Sequence, residues 1–307
     1  MDVAETVTTN VVLPHERYAK MWDAIITDAE VKGRLLRWAL LSLLLRRSLS
    51  FEATALHGLL VLYGPPGTGK TTLARGLAQK LVPFTSARRV RLIELSPHGL
   101  MSSEHGQSQR RVTELLTEHV PALADDGLPT VVLLDEVESM AVARSEASLS
   151  ANPADVHRAT DAVLTALDSN AARYPHLLWV ATSNFTGALD AAFLSRADVA
   201  VEVPAPGVEA ATSILRATLH DMAQVFPALE VLADDPDLAA VASLLCGTDG
   251  RQIRKTVTEA MAARLETVRD PGALMVSDLQ EAATRTATVS VIKEAANGTK
   301  ASAHAAL

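Results

Sequence analysis

Residues Gly64-Pro65-Pro66-Gly67-Thr68-Gly69-Lys70-Thr71 carry the spacing G-x-x-x-x-G-K-[ST] directly after the apolar run Leu59-Leu60-Val61-Leu62-Tyr63. In such a loop the glycines let backbone N–H groups turn inward around a polyphosphate, and the following helix adds its positive end. Lys70 would reach the β- and γ-phosphates and Thr71 would hold Mg2+, with Pro65, Pro66, Gly67, Thr68 and Thr72 completing the contact set. With a strand before it and a helix after it, this stretch implies a nucleoside triphosphate site.

A second group of residues could act on the bound phosphates. Val131-Val132-Leu133-Leu134 runs into Asp135-Glu136, an apolar strand ending in two carboxylates. Successive strand residues point to opposite faces, so the two acids do different work. Asp135 would stand near Mg2+ through a water shared with Thr71, and Glu136 would polarise the attacking water for in-line displacement. A further strand, Leu177-Leu178-Trp179-Val180-Ala181-Thr182, leads into Ser183-Asn184. The Asn184 amide is either a plain turn residue or a group that hydrogen-bonds the water and reports the γ-phosphate. Arg196 is either a surface ion pair with Asp198 or a finger that reaches a neighbouring subunit's nucleotide. Arg251 opens a helix, where acids are the usual choice, and a γ-phosphate contact would account for it.

Five β-rich runs position these groups: Leu59–Tyr63, Val90–Leu95, Val131–Leu134, Leu177–Thr182 and Val199–Val203. They alternate with helical segments such as Gln109–Val120, where Val112, Leu115, Leu116 and Val120 repeat at helical spacing. Near-continuous apolar strands alternating with helices imply an α/β sandwich on a parallel sheet, with ligands at the carboxyl ends of the strands. Pro204-Ala205-Pro206-Gly207 ends the pattern, and Val208–Val225, Pro236–Leu245, Arg251–Val268 and Ser277–Ala296 then read as helices. The expected domains are a large α/β domain over 1–206, a helical lid over 207–296 and a flexible tail over 297–307. Within the first, residues 1–50 read as a helical lead-in without a separate N-terminal adaptor domain, and Ser145–Pro153 as a mobile loop.

Bulk properties narrow the classes. A chain of 307 residues with 48% hydrophobic content can bury a large core and a smaller one. A net charge of −8 shows no basic footprint, so nucleic acid is not expected as a direct ligand. Cys246 is the only cysteine, so no internal disulfide forms; beside Leu244 and Leu245 it reads as a small core filler. Leu35–Leu45 is too short to span a bilayer and Arg37 interrupts it, so it reads as a buried helix with Arg46 and Arg47 at its dipole-favoured end. With no signal-peptide order at the N-terminus either, no membrane is expected and the cytoplasm is the expected compartment.

Taken together, these residues resemble those of AAA+ ATPases. Within that superfamily the chain resembles the pachytene-checkpoint branch, which remodels HORMA-domain proteins. The matching stretches are Leu133–Ser139, Asp161–Asp168, Thr182–Thr186, Ser195-Arg196-Ala197-Asp198 and Gly250–Lys255, with a lead-in from Leu13-Pro14 through Trp22-Asp23 to Leu36. The resemblance implies an α/β domain with a five-stranded parallel sheet of order 5-1-4-3-2, a helical lid, and a homohexamer that hydrolyses ATP with Mg2+. It implies that Arg196 acts in trans as the finger, Asn184 as sensor 1 and Arg251 as sensor 2. It further implies a HORMA-domain client whose terminal segment is pulled into the pore, loosening its safety belt and releasing the bound peptide. Bacterial relatives of this type stand beside nucleotide-second-messenger synthases in antiphage (CBASS) systems. Pore loops are then expected near Met101–Gly106, where Glu104 and His105 replace the usual aromatic, and within Ser145–Pro153. The competing class is an ATP-gated binding or loader module that acts on protein or DNA without threading. Glu136 and Arg196 together speak for turnover, and Ser103, Glu104 and His105 supply no basic pore for DNA.

Overall fold

The structure, a computed structural model, describes residues 6–96, 107–141, 153–184 and 189–288. Residues 101–106, 145–152 and 297–307, which carry the expected pore loops and tail, lie outside this set. The chain divides into two compact units, Met1–Pro65 with Gly69–Val203 and Pro66–Thr68 with Pro204–Leu307.

In the first unit, strands β1 (Val7–Leu13), β2 (Leu59–Tyr63), β3 (Val90–Leu95), β4 (Thr130–Leu134), β5 (Leu177–Ser183) and β6 (Val199–Glu202) form one sheet. Its order is β1-β3-β4-β5-β2-β6. Neighbours among β2 to β6 are parallel, whereas β1 runs antiparallel to β3. The five expected strands are present in the expected relative order, but the sheet has six strands rather than five, and the lead-in is not wholly helical. The added strand, Val-Thr-Thr-Asn-Val-Val-Leu, is rich in branched residues and half buried, as suits an edge. What places it is pairing with β3, a partner about eighty residues away (Val7 opposite Leu95, Leu13 opposite Val90), which no local pattern announces.

Strand side chains alternate between two cores, although each strand reads as continuously apolar. On one face Leu60, Leu62, Leu133, Leu178 and Val180 pack with Leu73, Leu77 and Leu81 of the helix Lys70–Leu81 and with Leu35 and Ala39 of the helix Ala29–Ser48. On the other, Val61, Val132, Leu134, Trp179 and Ala181 meet Val112, Leu116, Val163 and Leu167. The helix Ala29–Ser48 buries only one stripe; Leu44 on its outer side is 62% exposed. The segment expected as one helix over 109–120 begins at Gln107, widens into a π-turn at Leu115–His119 and ends at Leu123. Pro121, which lacks an N–H and crowds the carbonyl four residues back, gives a reason for the wider turn.

Parallel register aligns the chemical groups. Tyr63 lies opposite Ser183 and Leu134 opposite Ala181, so Gly64, Asp135-Glu136 and Asn184 all leave the sheet at one carboxyl edge.

At the other end of β2 a buried charge network ties the lead-in helix to the sheet. Arg46 is 6% exposed; its guanidinium donates to the carbonyls of Leu177 (2.5 Å), Ala171 (3.2 Å) and Tyr174 (3.4 Å). Burial pulls its pKa down to about 10, against the favourable charge of Asp198. Arg46 therefore serves distant carbonyls rather than the dipole of its own helix. Asp198 accepts from the backbone N–H of His57 (2.9 Å) and Gly58 (3.0 Å) and from Ser42 Oγ (2.8 Å), and burial pushes its carboxyl up. Asp198→Ala strands two backbone donors and is expected to lower the unfolding free energy by about 2–4 kcal/mol in urea titrations. A loss below about 1 kcal/mol would mean that water serves those amides equally well.

The second unit is helical: Val208–Ala223, Leu229–Ala233, Leu238–Leu244, Gly250–Met261, Leu265–Arg269 and 276–288. The single helix expected over Arg251–Val268 is two, separated where Arg264 takes an extended backbone. A tertiary contact holds that break, because the Arg264 guanidinium grips Asp278 through two bonds of 2.8 and 2.7 Å. Cys246 is exposed and is not the core filler that its neighbours suggest. No helix among the described residues is long and apolar enough to cross a membrane.

Candidate functional site

The loop after β2 depends on glycine at defined points. Gly64 has φ +146°, and a Cβ there would sit 2.2 Å from the carbonyl oxygen of Val203. Gly69, at φ +92°, is the residue from which the helix Lys70–Leu81 starts, and a Cβ there would strike Ile25. Any side chain at these two positions clashes or strains the backbone. Gly67 is likewise left-handed at φ +79°. Thr71 and Thr72 follow Lys70 in the first turn of the helix, at its dipole-positive end.

Lys70 is 6% exposed, and its ammonium donates to Gly64 O (2.9 Å), Pro65 O (2.8 Å) and Asn184 Oδ1 (2.9 Å). Burial lowers its pKa, opposed by the carboxylates of Glu138, Asp135 and Glu136. Thr71 Oγ1 donates to Asp135 Oδ1 at 2.6 Å, joining the loop to the end of β4. Thr182 Oγ1 donates to the same oxygen at 2.5 Å and accepts from the Glu136 backbone N–H at 3.0 Å. Glu136 takes a left-handed backbone (φ 53°, ψ 52°) and is exposed, so the chain turns sharply between the two acids. Asn184 donates through its backbone N and through Nδ2 to Glu138 Oε1, both at 3.2 Å.

The structure thus brings Lys70, Thr71, Asp135 and Asn184 together next to Glu136, in two hydrogen-bonded sets, Lys70–Asn184–Glu138 and Thr71–Asp135–Thr182. Two members have no assigned role in the sequence reading: Thr182, which holds Asp135 and Glu136 together, and Glu138, which holds Asn184. A hydroxyl closing an otherwise apolar strand was the available signal for Thr182, but its use depends on the β4–β5 register. Oxygen donors from a hydroxyl and a carboxylate, as at Thr71 and Asp135, suit a hard divalent cation such as Mg2+.

Arg196 caps the helix Ala191–Ser195 and is paired with Asp168, not Asp198: Nε to Oδ1 at 2.6 Å and Nη2 to Oδ2 at 2.7 Å. That pairing raises the Arg196 pKa and holds the Asp168 carboxyl below its ordinary range. His57 Nε2 approaches the same carboxylate at 3.2 Å. Asp198 is instead occupied at the start of β2, as described above. Arg251 is exposed on the first turn of the helix Gly250–Met261 in the second unit, where the Asp249 side chain accepts from the backbone N–H groups of Arg251 and Gln252 (3.0 Å each). Asp249 as N-cap accounts for the helix start, and the Arg251 side chain has no part in that cap.

Comparison with known proteins gives consistent relationships. The family described as "ATPase family associated with various cellular activities (AAA)" matches residues 60–205. CD-NTase-associated protein 6 of Pseudomonas aeruginosa is 46% identical over 270 residues, covering 88% of this chain and 88% of that protein. The pachytene checkpoint protein 2 homolog of Arabidopsis thaliana is 35% identical over 214 residues, 69% of this chain but only 46% of that longer protein. Among solved structures, "Structure of E. coli MS115-1 HORMA:CdnC:Trip13 complex" matches at a TM-score of 0.71 and 19% identity, covering 92% of this chain and 96% of that one. A match at that identity speaks for the fold.

Proposed function

Because the chain belongs to the AAA family of ATPases, with CD-NTase-associated protein 6 and the pachytene checkpoint protein 2 homologues among its relatives, we propose that it is an ATP-hydrolysing remodeller. Working as a homohexamer, it disassembles closed complexes of a HORMA-domain protein with its peptide, in a bacterial antiphage system of the CBASS type. The observation that carries this reading is the Lys70 ammonium, which links the phosphate-loop carbonyls of Gly64 and Pro65 to the Asn184 amide. One cation thereby couples nucleotide occupancy to the group that handles water. The 46% identity with CD-NTase-associated protein 6 across 88% of both chains supports the choice of system.

Backbone N–H groups of Gly67 to Thr72 cradle the phosphates, and Lys70 meets the β- and γ-phosphates. Thr71 and Asp135 would hold Mg2+, which supplies charge neutralisation on the phosphate oxygens when bound. Glu136 accepts a proton from the attacking water, Asn184 orients that water, and Arg196 spreads transition-state charge in the adjoining protomer. Arg251 contributes a further contact to the γ-phosphate. Repeated turnover then draws a terminal segment of the client into the pore.

The test is release of a fluorescent peptide from a closed HORMA-domain protein by the purified chain. Release should require Mg·ATP and should fail with a non-hydrolysable analogue. Steady ATP hydrolysis with the peptide fully retained would overturn the remodelling reading.

A further inference from the structure

Lys70, Asn184 and Glu138 form a chain of three groups with fixed hydrogen-bonding sense. An ammonium only donates and a carboxylate only accepts, whereas the two ends of a primary amide share a shape and differ in sense. Lys70 Nζ donates to Asn184 Oδ1 at 2.9 Å, and Asn184 donates through its backbone N and through Nδ2 to Glu138 Oε1 at 3.2 Å. Reversing the amide would set NH2 against the cation and oxygen against the carboxylate, unfavourable at both ends.

The cation end of this arrangement is temporary. All three ammonium protons of Lys70 are engaged, by Gly64 O, Pro65 O and Asn184 Oδ1. A phosphate oxygen arriving at Lys70 displaces one of them, and two belong to the loop that wraps the phosphates. When Asn184 Oδ1 is the partner released, Glu138 is the group among the described residues that still fixes which end of the amide points inward. Glu138 is suited to that task. It lies in the one-turn helix Val137–Ser139 directly after Glu136, so the base and the orienting carboxylate share one rigid turn. Its second oxygen, Oε2, is buried without a hydrogen-bond partner. A buried polar atom left unpaired is costly and calls for an explanation in a native structure.

We propose that Glu138 is a positioning residue that keeps the acceptor oxygen of Asn184 turned toward the reacting atoms. The Asn184 oxygen is thereby left facing the attacking water, from which it takes a hydrogen bond. This rests on the reading of Asn184 and Glu136 given above.

The test is a double-mutant cycle on the full chain, with kcat and KM for Mg·ATP measured beside the affinity for a fluorescent ATP analogue. Glu138→Ala should lower kcat by roughly tenfold or more while analogue affinity and KM stay within about threefold. Glu138→Gln, which keeps an acceptor oxygen and the side-chain shape, should hold kcat within about threefold of wild type. In an Asn184→Ala background, Glu138→Ala should cost nothing further. If it costs its full factor again there, or if it weakens nucleotide affinity as much as kcat, or if Glu138→Gln is as impaired as Glu138→Ala, the proposal is wrong. A wild-type protein without turnover would sink both readings, whereas these outcomes in an active enzyme sink this one alone.

Discussion

Glu136→Gln should abolish ATP turnover while the nucleotide still binds. Gln has the size of Glu and can adopt the same backbone, so the left-handed turn at this position (φ 53°, ψ 52°) and the Glu136 N–H to Thr182 Oγ1 bond of 3.0 Å survive. What disappears is the ability to take a proton from water, a contribution of about 10²–10⁴ in rate. Lys70, Thr71 and Asp135, which carry the phosphate and metal contacts, are untouched, and their hydrogen bonds of 2.6–2.9 Å do not involve the Glu136 side chain. Single-turnover hydrolysis and equilibrium binding of a fluorescent ATP analogue, measured on one preparation, separate the two effects. Normal hydrolysis in this variant would remove Glu136 as the base and leave the site with a different one.

A second large effect is expected from Arg196→Ala. An arginine that spreads phosphoryl transition-state charge is worth about 10³–10⁵ in rate. The structure supplies a control for the obvious objection that the variant merely unfolds. Arg196 is tied to Asp168 through bonds of 2.6 and 2.7 Å, but the Asp168 side chain is 46% exposed and His57 Nε2 stands 3.2 Å from it. With the Arg196 side chain 21% and the Asp168 side chain 46% exposed, the pair contributes about 1 kcal/mol, so thermal stability should change little. If Arg196 acts in the adjoining protomer, rings mixed from variant and wild-type subunits should lose activity faster than the wild-type fraction falls. Activity proportional to that fraction would place the residue's effect within its own subunit. Asp168 then becomes informative too, because it holds the guanidinium in the geometry from which it must depart or reach.

The phosphate loop announces itself because its needs are local: glycines at positive φ, a lysine and a threonine at fixed offsets, an apolar strand before and a helix after. The acid pair at 135–136 and the amide at 184 follow from strand ends, since parallel strands bring their carboxyl termini to one edge. The β1 strand is not legible in the sequence because seven half-buried branched and polar residues become a strand only when β3 offers its edge. Nor is the break at Arg264 legible locally, because the partner that holds it, Asp278, stands fourteen residues on.

By itself the sequence determined which residue types stand at which chain positions and which strand or helix terminus carries each. That suffices for a phosphate loop, an acidic strand end and the alternating α/β pattern, because all three are set by neighbours within a few residues. Only the tertiary structure decided the partners. Arg196 meets Asp168 and not Asp198, Arg46 turns inward to three carbonyls, and the Asn184 amide is held between Lys70 and Glu138. The reason is physical. A hydrogen bond works only within about 3 Å and in one sense of donor and acceptor, and which distant groups come that close is set by strand order and register, not by any local run of residues.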